Sequence, residues 1–219
     1  SSSVADIIST STNLHPIRWL SGVVLAGGES RRMGQHKAWL SAEGETLLAR
    51  TVRTVSHSCS KVIVVGTPGQ DLPAVPAIIT QDAVAGEGPL RGIEAGITAA
   101  RSRAVFVCAV DVPFLEVQLA AFLADHLEKF QAVIPRWDGR VHPLQAIYTV
   151  EVLPVIQMLL RKGNRRLTDL LAQLQVCYVE EDSIQRVDPQ GASFINVNTP
   201  RDWEAVLKKG LSLRSIDQN

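Results

Sequence analysis

Cysteine is scarce in this chain. Cys59, Cys108 and Cys177 are odd in number and far apart, and no CxxC pair occurs. Neither a disulfide framework nor a thiolate zinc site is expected, and a reducing cytoplasm is the simplest compartment. Net charge is absent too: 22 basic and 22 acidic residues cancel. A duplex-binding protein usually carries a basic surplus, so no nucleic-acid partner is expected. No apolar run approaches the roughly 20 residues of a membrane span, so no membrane partner is expected either. The opening SSSVADIISTSTNLHPIRW has no basic start followed by an apolar core, and no signal peptide is read there. Two phosphate-loop patterns are missing. GxxxxGK[ST] fails because Gly34 is followed by Gln35 and His36, and GxGxxG fails because Gly27 and Gly28 are adjacent. No Ser/His/Asp or Cys/His spacing of a covalent hydrolase is visible, and the five histidines form no ligand set.

What is present is an alternation of short β-branched runs with helical patterns. Val23–Ala26, Lys61–Gly66, Ala77–Thr80 and the doubly apolar Ala104–Val110 read as strands. Helical stripes follow at Thr46–Ser58, from Gly88–Pro89 onward, and through Ala120, Leu123, Leu127 and Phe130. AVIPRWDGRVHPLQAIY reads as two strands joined through the turn signal Asp138-Gly139. Leu153–Leu160 reads as a helix and Val176–Val179 as a short strand. In the closing helix Thr199 is the N-cap, Pro200 the first helical residue, and Asp202 completes a capping box. The fold class expected is α/β: a three-layer αβα sandwich with a mostly parallel central sheet and a small β-hairpin region. Residues 1–20 are expected to be an N-terminal extension, 21–210 a single domain and 211–219 a C-terminal tail.

Ligands of such sheets bind beyond the carboxyl ends of the strands, so the residues that follow each strand carry the functional reading. After the first strand comes Gly27-Gly28-Glu29-Ser30-Arg31-Arg32-Met33-Gly34, then Lys37. Glycines turn backbone N–H groups toward an anion, arginines add bidentate bonds to phosphate oxygens, and a lysine adds a mobile point charge. The stretch therefore reads as a triphosphate cradle. Asp82 follows the third strand. Asp111, at the abrupt end of CAVDVPF, is placed to hold Mg²⁺ through one oxygen; the plainer reading is a cap before Pro113. GEGPLRGIEAGI puts Gly88 at a helix start that favours a phosphate or a polar base edge, or else serves helix packing. In FINVNTP, Asn196 and Asn198 fall on one side of an extended chain. There they reach a metal-bound water or a substrate hydroxyl, or cap a strand end. RKGNRRL clusters Arg161, Lys162, Arg165 and Arg166, a solvated helix end or a second anion site. His36 and His142 touch substrate or stand in solvent.

The blocks LAGGESRRMGQHK, GPLRGIEAGI, DVPF, RVHPLQAIY and FINVNTPRDWE, in this order from about Gly22 to Leu207, resemble the molybdenum cofactor guanylyltransferases, the MobA family within the nucleotidyltransferase superfamily. The resemblance implies a Rossmann-like fold. It also implies transfer of GMP from GTP to molybdopterin cofactor, with release of pyrophosphate and Mg²⁺ as cofactor. Carried over by position, Leu25, Ala26 and Gly27 would line the GTP site, Lys37 and Asp82 would contact the nucleotide, and Asp111 would hold the metal. The catalytic set expected is Lys37, Asp111 and Arg31. Nucleotide binding is extended over Gly28, Ser30, Arg32, Gly34, Gly88, Asn196 and Asn198. The chain has Asp111-Val112-Pro113 where the family usually has Asp-Thr-Pro, so one hydroxyl is missing, and Gln81 stands where an acidic residue is common. Leu-Ala-Gly-Gly, against the Leu-Ala-Ala-Gly of related cytidylyltransferases, favours guanine; the absent methyl at Gly27 would leave room beside a purine. Arg165, Arg166 and His142 are the residues suggested for the pterin. Transient contact with cofactor-delivery proteins or recipient oxidoreductases is the partner expectation. The alternatives are a cytidylyl- or sugar-phosphate nucleotidyltransferase on the same scaffold and a non-catalytic nucleotide- or cofactor-binding module.

Overall fold

The structure is a computed structural model and describes residues 15–27, 37–82 and 87–214. Its first strand, β1 (Leu20–Leu25), is apolar apart from Ser21 and buried along nearly its whole length. A three-residue 3-10 turn at Lys37–Trp39 leads into the small hairpin β2 (Ser41–Ala42) and β3 (Glu45–Thr46). Helix α1 (Leu47–Ser56) starts at Thr46, whose hydroxyl accepts the Ala49 N–H at 3.2 Å. Then come β4 (Val62–Gly66), β5 (Ile78–Gln81), α2 (Pro89–Ala100) and β6 (Ala104–Ala109). Helix α3 (Leu119–Ala124), β7 (Ala132–Trp137), β8 (Arg140–Val141) and β9 (Gln145–Thr149) follow. The remainder is α4 (Leu153–Arg161), α5 (Leu167–Ala172), β10 (Val176–Val179), α6 (Glu181–Ile184) and α7 (Pro200–Arg214).

The main sheet runs β10-β7-β9-β6-β1-β4-β5, with β8 paired to β7. β1 pairs in parallel with both β4 and β6, β4 with β5, and β7 with β10. β9 runs antiparallel to β6 and β7. The pleat sends alternate residues to opposite faces. Val24, Val64 and Phe106 pack with Leu48, Val52, Leu119 and Leu123 from α1 and α3, while Val23, Val65 and Val107 pack with Leu90, Ile93 and Leu159 from α2 and α4. The expected three layers are present. Each fully buried Leu, Ile or Phe in them contributes about 1.5–3 kcal/mol.

Two expectations are corrected. The stripe through Leu127 and Phe130 does not extend α3, which ends at Ala124. The Leu127 and Phe130 N–H groups close separate turns, and Leu127 reaches the core from outside the helix. Asp138-Gly139 joins β7 only to the two-residue β8. His142–Leu144, containing Pro143, then breaks the ladder before β9, so three strands replace the expected two.

The placement of the site follows from this topology. From central β1 the chain moves outward through β4 and β5, and α2 carries it back over the sheet to β6 on the other side of β1. The crevice therefore opens at the carboxyl ends of β1, β4, β5 and β6.

Candidate active site

Three separate segments meet at the carboxyl edge. Lys37 opens its 3-10 turn because its neighbours are anchored: Ala38 and Leu40 are buried, and the Leu40 N–H donates to the Lys37 carbonyl at 3.1 Å. Asp111 stands two residues beyond β6, and Asn198 lies just before α7. The Lys37 Nζ is 3.7 Å from the Asp111 Oδ2 and donates to the Asn198 Oδ1 at 3.2 Å. Lysine and aspartate side chains here are only 17% and 24% exposed, so the pair sits in a recess where solvent screens it weakly. Burial raises the Asp111 carboxyl above the ordinary carboxylate range, and the Lys37 charge pulls it back. The backbone ties the same segments together: the Val197 N–H donates to the Asp111 carbonyl at 2.8 Å. Asn198 is held by the cap of α7. Its N–H and that of Thr199 both donate to the Asp202 carboxylate at 3.0 Å, while the Asp202 N–H donates back to the Thr199 hydroxyl at 3.1 Å. Those bonds hold the Asp202 carboxyl below its usual value.

Leu25, Ala26 and Gly27 lead out of β1 beside the turn after β4. The Ala26 N–H donates to the Val65 carbonyl at 2.9 Å, and the Ala26 carbonyl accepts from the Gln70 side-chain amide at 2.9 Å. The Gln70 Oε1 accepts the Thr67 N–H at 2.9 Å, so one side chain links the two turns. A Cβ added at Gly27 would lie 3.0 Å from the Thr67 Cγ2 and 3.5 Å from the Thr67 nitrogen. Thr67 therefore stands in the space that a methyl at Gly27 would enter.

Asp82 follows β5, its N–H donating to the Gly66 carbonyl at 2.9 Å. Its Oδ1 is buried without a hydrogen-bond partner among the described residues. Burial pushes this carboxyl up to about 6, with Arg91 opposing. It lies against the first turns of α2: a Cβ at Gly92 would be 3.5 Å from the Asp82 Oδ1. Gly88 begins α2 with φ +79°, which a side chain would strain, and supplies no side-chain cap. Among the described residues, a carboxylate oxygen without a partner and a helix start without a side-chain cap thus lie together at the crevice. Arg91 is held by Glu87 at 2.6 Å and Glu94 at 3.3 Å.

The remaining sequence candidates are distributed as follows. Gly28, Ser30, Arg31, Arg32, Gly34 and His36 lie outside the described residues. Asn196 is exposed, one residue before buried Val197. His142 packs on Phe194, ring centroids 4.5 Å apart, and burial lowers its pKa. Phe194 belongs to the α1 side of the sheet. Arg165 and Arg166 stand exposed in the turn between α4 and α5, where Leu167 joins the α2 side. The His142 ring thus meets an α1-side residue, while its neighbours Val141 and Leu144 pack, like Leu167, on the α2 side.

An added Mg²⁺ fits the donor set. Among the described residues no group of three His, Cys, Asp or Glu forms a complete cage. Recessed Asp111, with the Asn198 amide oxygen across the shared lysine, is the sparse oxygen set that a hard cation supplements with water and phosphate oxygens.

Comparisons with known proteins bear on the family and the fold. Residues 22–177 match the MobA-like NTP transferase domain. Probable molybdenum cofactor guanylyltransferases of Mycobacterium tuberculosis H37Rv and Mycobacterium avium are 36% and 39% identical over 197 and 194 residues. They cover 87% and 85% of this chain and 94% of each relative. The crystal structure of molybdopterin-guanine dinucleotide biosynthesis protein A from Archaeoglobus fulgidus superposes with a TM-score of 0.74 at 23% identity, covering 88% of this chain and 99% of that one. A 2-C-methyl-D-erythritol 4-phosphate cytidylyltransferase from Thermus thermophilus shares the fold, with a TM-score of 0.63 at 20% identity, over 85% and 97% of the two chains. The chain belongs to the MobA-like NTP transferases, the molybdenum cofactor guanylyltransferase family.

Proposed function

We propose that this nucleotidyltransferase of molybdenum cofactor biosynthesis transfers GMP from GTP to the terminal phosphate of molybdopterin and releases pyrophosphate. The observation that carries the reading is the meeting of the Lys37 amine with Asp111 and Asn198 at the carboxyl edge of the sheet. The pterin phosphate attacks the α-phosphorus in line, the bond to the β-phosphate oxygen breaks, and pyrophosphate departs with the electron pair. No protein nucleophile is required, so the work is positioning and charge neutralisation. Lys37 places its charge on phosphate oxygens, together with Arg31 and Arg32. The backbone amides of 27–34, including Gly28, Ser30 and Gly34, cradle the triphosphate. Asp82 accepts from the guanine edge, a partner its buried oxygen lacks among the described residues, and Gly88 presents the start of α2 to the nucleotide. Asp111 would hold Mg²⁺, assisted by Asn198 and Asn196, and the ion would supply positive charge against the departing pyrophosphate.

Domain limits of 21–210, an N-terminal extension at 1–20, a cytoplasmic location and transient contacts with delivery or recipient proteins belong to the same reading. No helix of the described residues is long and apolar enough to cross a membrane. Purified protein incubated with molybdopterin, Mg²⁺ and GTP, CTP or UTP tests the assignment. Guanine dinucleotide formed with GTP supports it. Product formed chiefly with CTP replaces it by the cytidylyltransferase reading, and nucleotide binding without pyrophosphate release replaces it by the binding-module reading.

A further inference from the structure

Asp111 and Asn198 reach the crevice on irregular backbone: Asp111 lies in the loop between β6 and α3, and Asn198 in the coil before α7. A transfer site needs such groups held to a fraction of an ångström. Neither segment belongs to a helix or strand that would hold it, so cross-bonds must do so. One is the Val197 N–H to the Asp111 carbonyl, and another runs from α1, where the Arg50 Nε donates to the Pro113 carbonyl at 2.7 Å. A third is made by a side chain the mechanism does not use. Ser193 is fully buried, and its hydroxyl accepts the Glu116 N–H at 2.8 Å, fastening the far end of the Asp111 loop.

Ser193 is itself held in an unusual way. It belongs to the 3-10 turn Ala192–Phe194, and Asp188, only 2% exposed, accepts the Ala192 and Ser193 N–H groups on its two oxygens at 2.8 and 2.9 Å. Among the described residues no cation pairs with that buried carboxylate. Removing a carboxylate from water is costly, so its placement on one short turn indicates that the turn's geometry matters. Gly191 closes the turn at φ +65° beneath the Trp137 indole, where any side chain would collide.

We infer that Ser193, aimed by Asp188, is a positioning residue that fixes the Asp111 loop against the Asn198 segment. The inference rests on the proposed site but not on the identity of the nucleotide. Ser193→Ala removes the acceptor and leaves the Glu116 N–H behind. The expected result is faster amide exchange across 111–116. Mn²⁺ affinity measured by EPR in the presence of GTP, and kcat, should each fall about tenfold, as for removal of an outer-shell partner. KM for GTP should change by no more than about twofold, the melting transition should stay cooperative, and Ser193→Thr, which restores the hydroxyl, should recover kcat. Folded Ser193→Ala with Mn²⁺ affinity and kcat within about twofold of the parent overturns the inference, as does a loss in proportion to the unfolded fraction. Should Ser193→Ala not fold, Asp188→Asn, which keeps one of the two acceptors, is judged by the same measurements. A parent protein that forms no guanine dinucleotide overturns the function reading alone, since exchange and Mn²⁺ binding still decide Ser193.

Discussion

Asp82→Asn should stabilise the free protein and damage its use of GTP, two effects of opposite sign from one atom's environment. Burial lifts the Asp82 carboxyl to about 6 from an ordinary 3.8, with its Oδ1 unpartnered among the described residues. Each pH unit of that gap is worth about 1.4 kcal/mol, so a wholly enclosed carboxylate would oppose folding by roughly 3 kcal/mol. Asp82 is only partly enclosed, and solvent screening brings the figure to about 1 kcal/mol. The sign follows from linkage. The folded state keeps its proton to higher pH than the unfolded chain, so the penalty is absent below about pH 4, grows between about 4 and 6, and is complete above. Urea unfolding of variant and parent at pH 4, 5, 6 and 7.5 should therefore show a stability difference near zero at the acid end, rising to about 1 kcal/mol in favour of Asn at pH 7.5. At pH 7.5 the KM for GTP should rise about 10- to 100-fold through loss of a charged acceptor. In the parent, KM should rise as pH falls below 6, and that inflection should vanish in the variant. A variant less stable at pH 7.5, or a stability difference independent of pH, refutes the desolvation argument; an unchanged KM refutes the nucleotide contact.

Other substitutions test other links. Lys37→Met should lower kcat/KM by about 2–4 kcal/mol of transition-state stabilisation, measured by pyrophosphate release, with the fold preserved by circular dichroism. Gly27→Ala should reduce GTP use relative to CTP, and adding Thr67→Ser, which removes the methyl 3.0 Å from the new Cβ, should restore it; a defect untouched by Thr67→Ser places the clash on the base instead. Gly191→Ala combines positive-φ strain with overlap on Trp137 and should cost about 2–4 kcal/mol of stability in urea titration. Tyr148→Phe removes the buried bond to the Pro143 carbonyl and should cost about 1 kcal/mol in the same titration.

Much of the framework was legible because local chemistry and tertiary position agree. The apolar runs of β1, β4 and β6 are parallel strands buried on both faces, and Thr199 and Asp202 make the caps their residue types favour. Lys37 and Asp111 were found by their position after strands, and the recess brings them to 3.7 Å. What was missed depends on contacts between distant segments. Helix α5 carries Leu170 and Leu171 into the core, but RKGNRRL before it reads as charge alone. Gln70, Arg50, Asp188 and Ser193 are ordinary polar residues in sequence; each becomes significant only through a bond to a backbone group far along the chain or within a buried turn. Asp82 was found by its position after a strand and given its nucleotide contact by resemblance, while its buried oxygen, unpartnered among the described residues, arises from the packing of α2 on the end of β5, which no local pattern encodes.

The central claim is that Lys37 and Asp111 together serve one nucleotidyl transfer. Dinucleotide formation from GTP and molybdopterin, followed with Mg²⁺ in the parent, in Asp111→Ala and in Lys37→Met, tests it most directly. The account predicts product in the parent, none in folded Asp111→Ala at any Mg²⁺ concentration, and a slowed rate in Lys37→Met. Parent-like turnover by Asp111→Ala at moderate Mg²⁺ would contradict it.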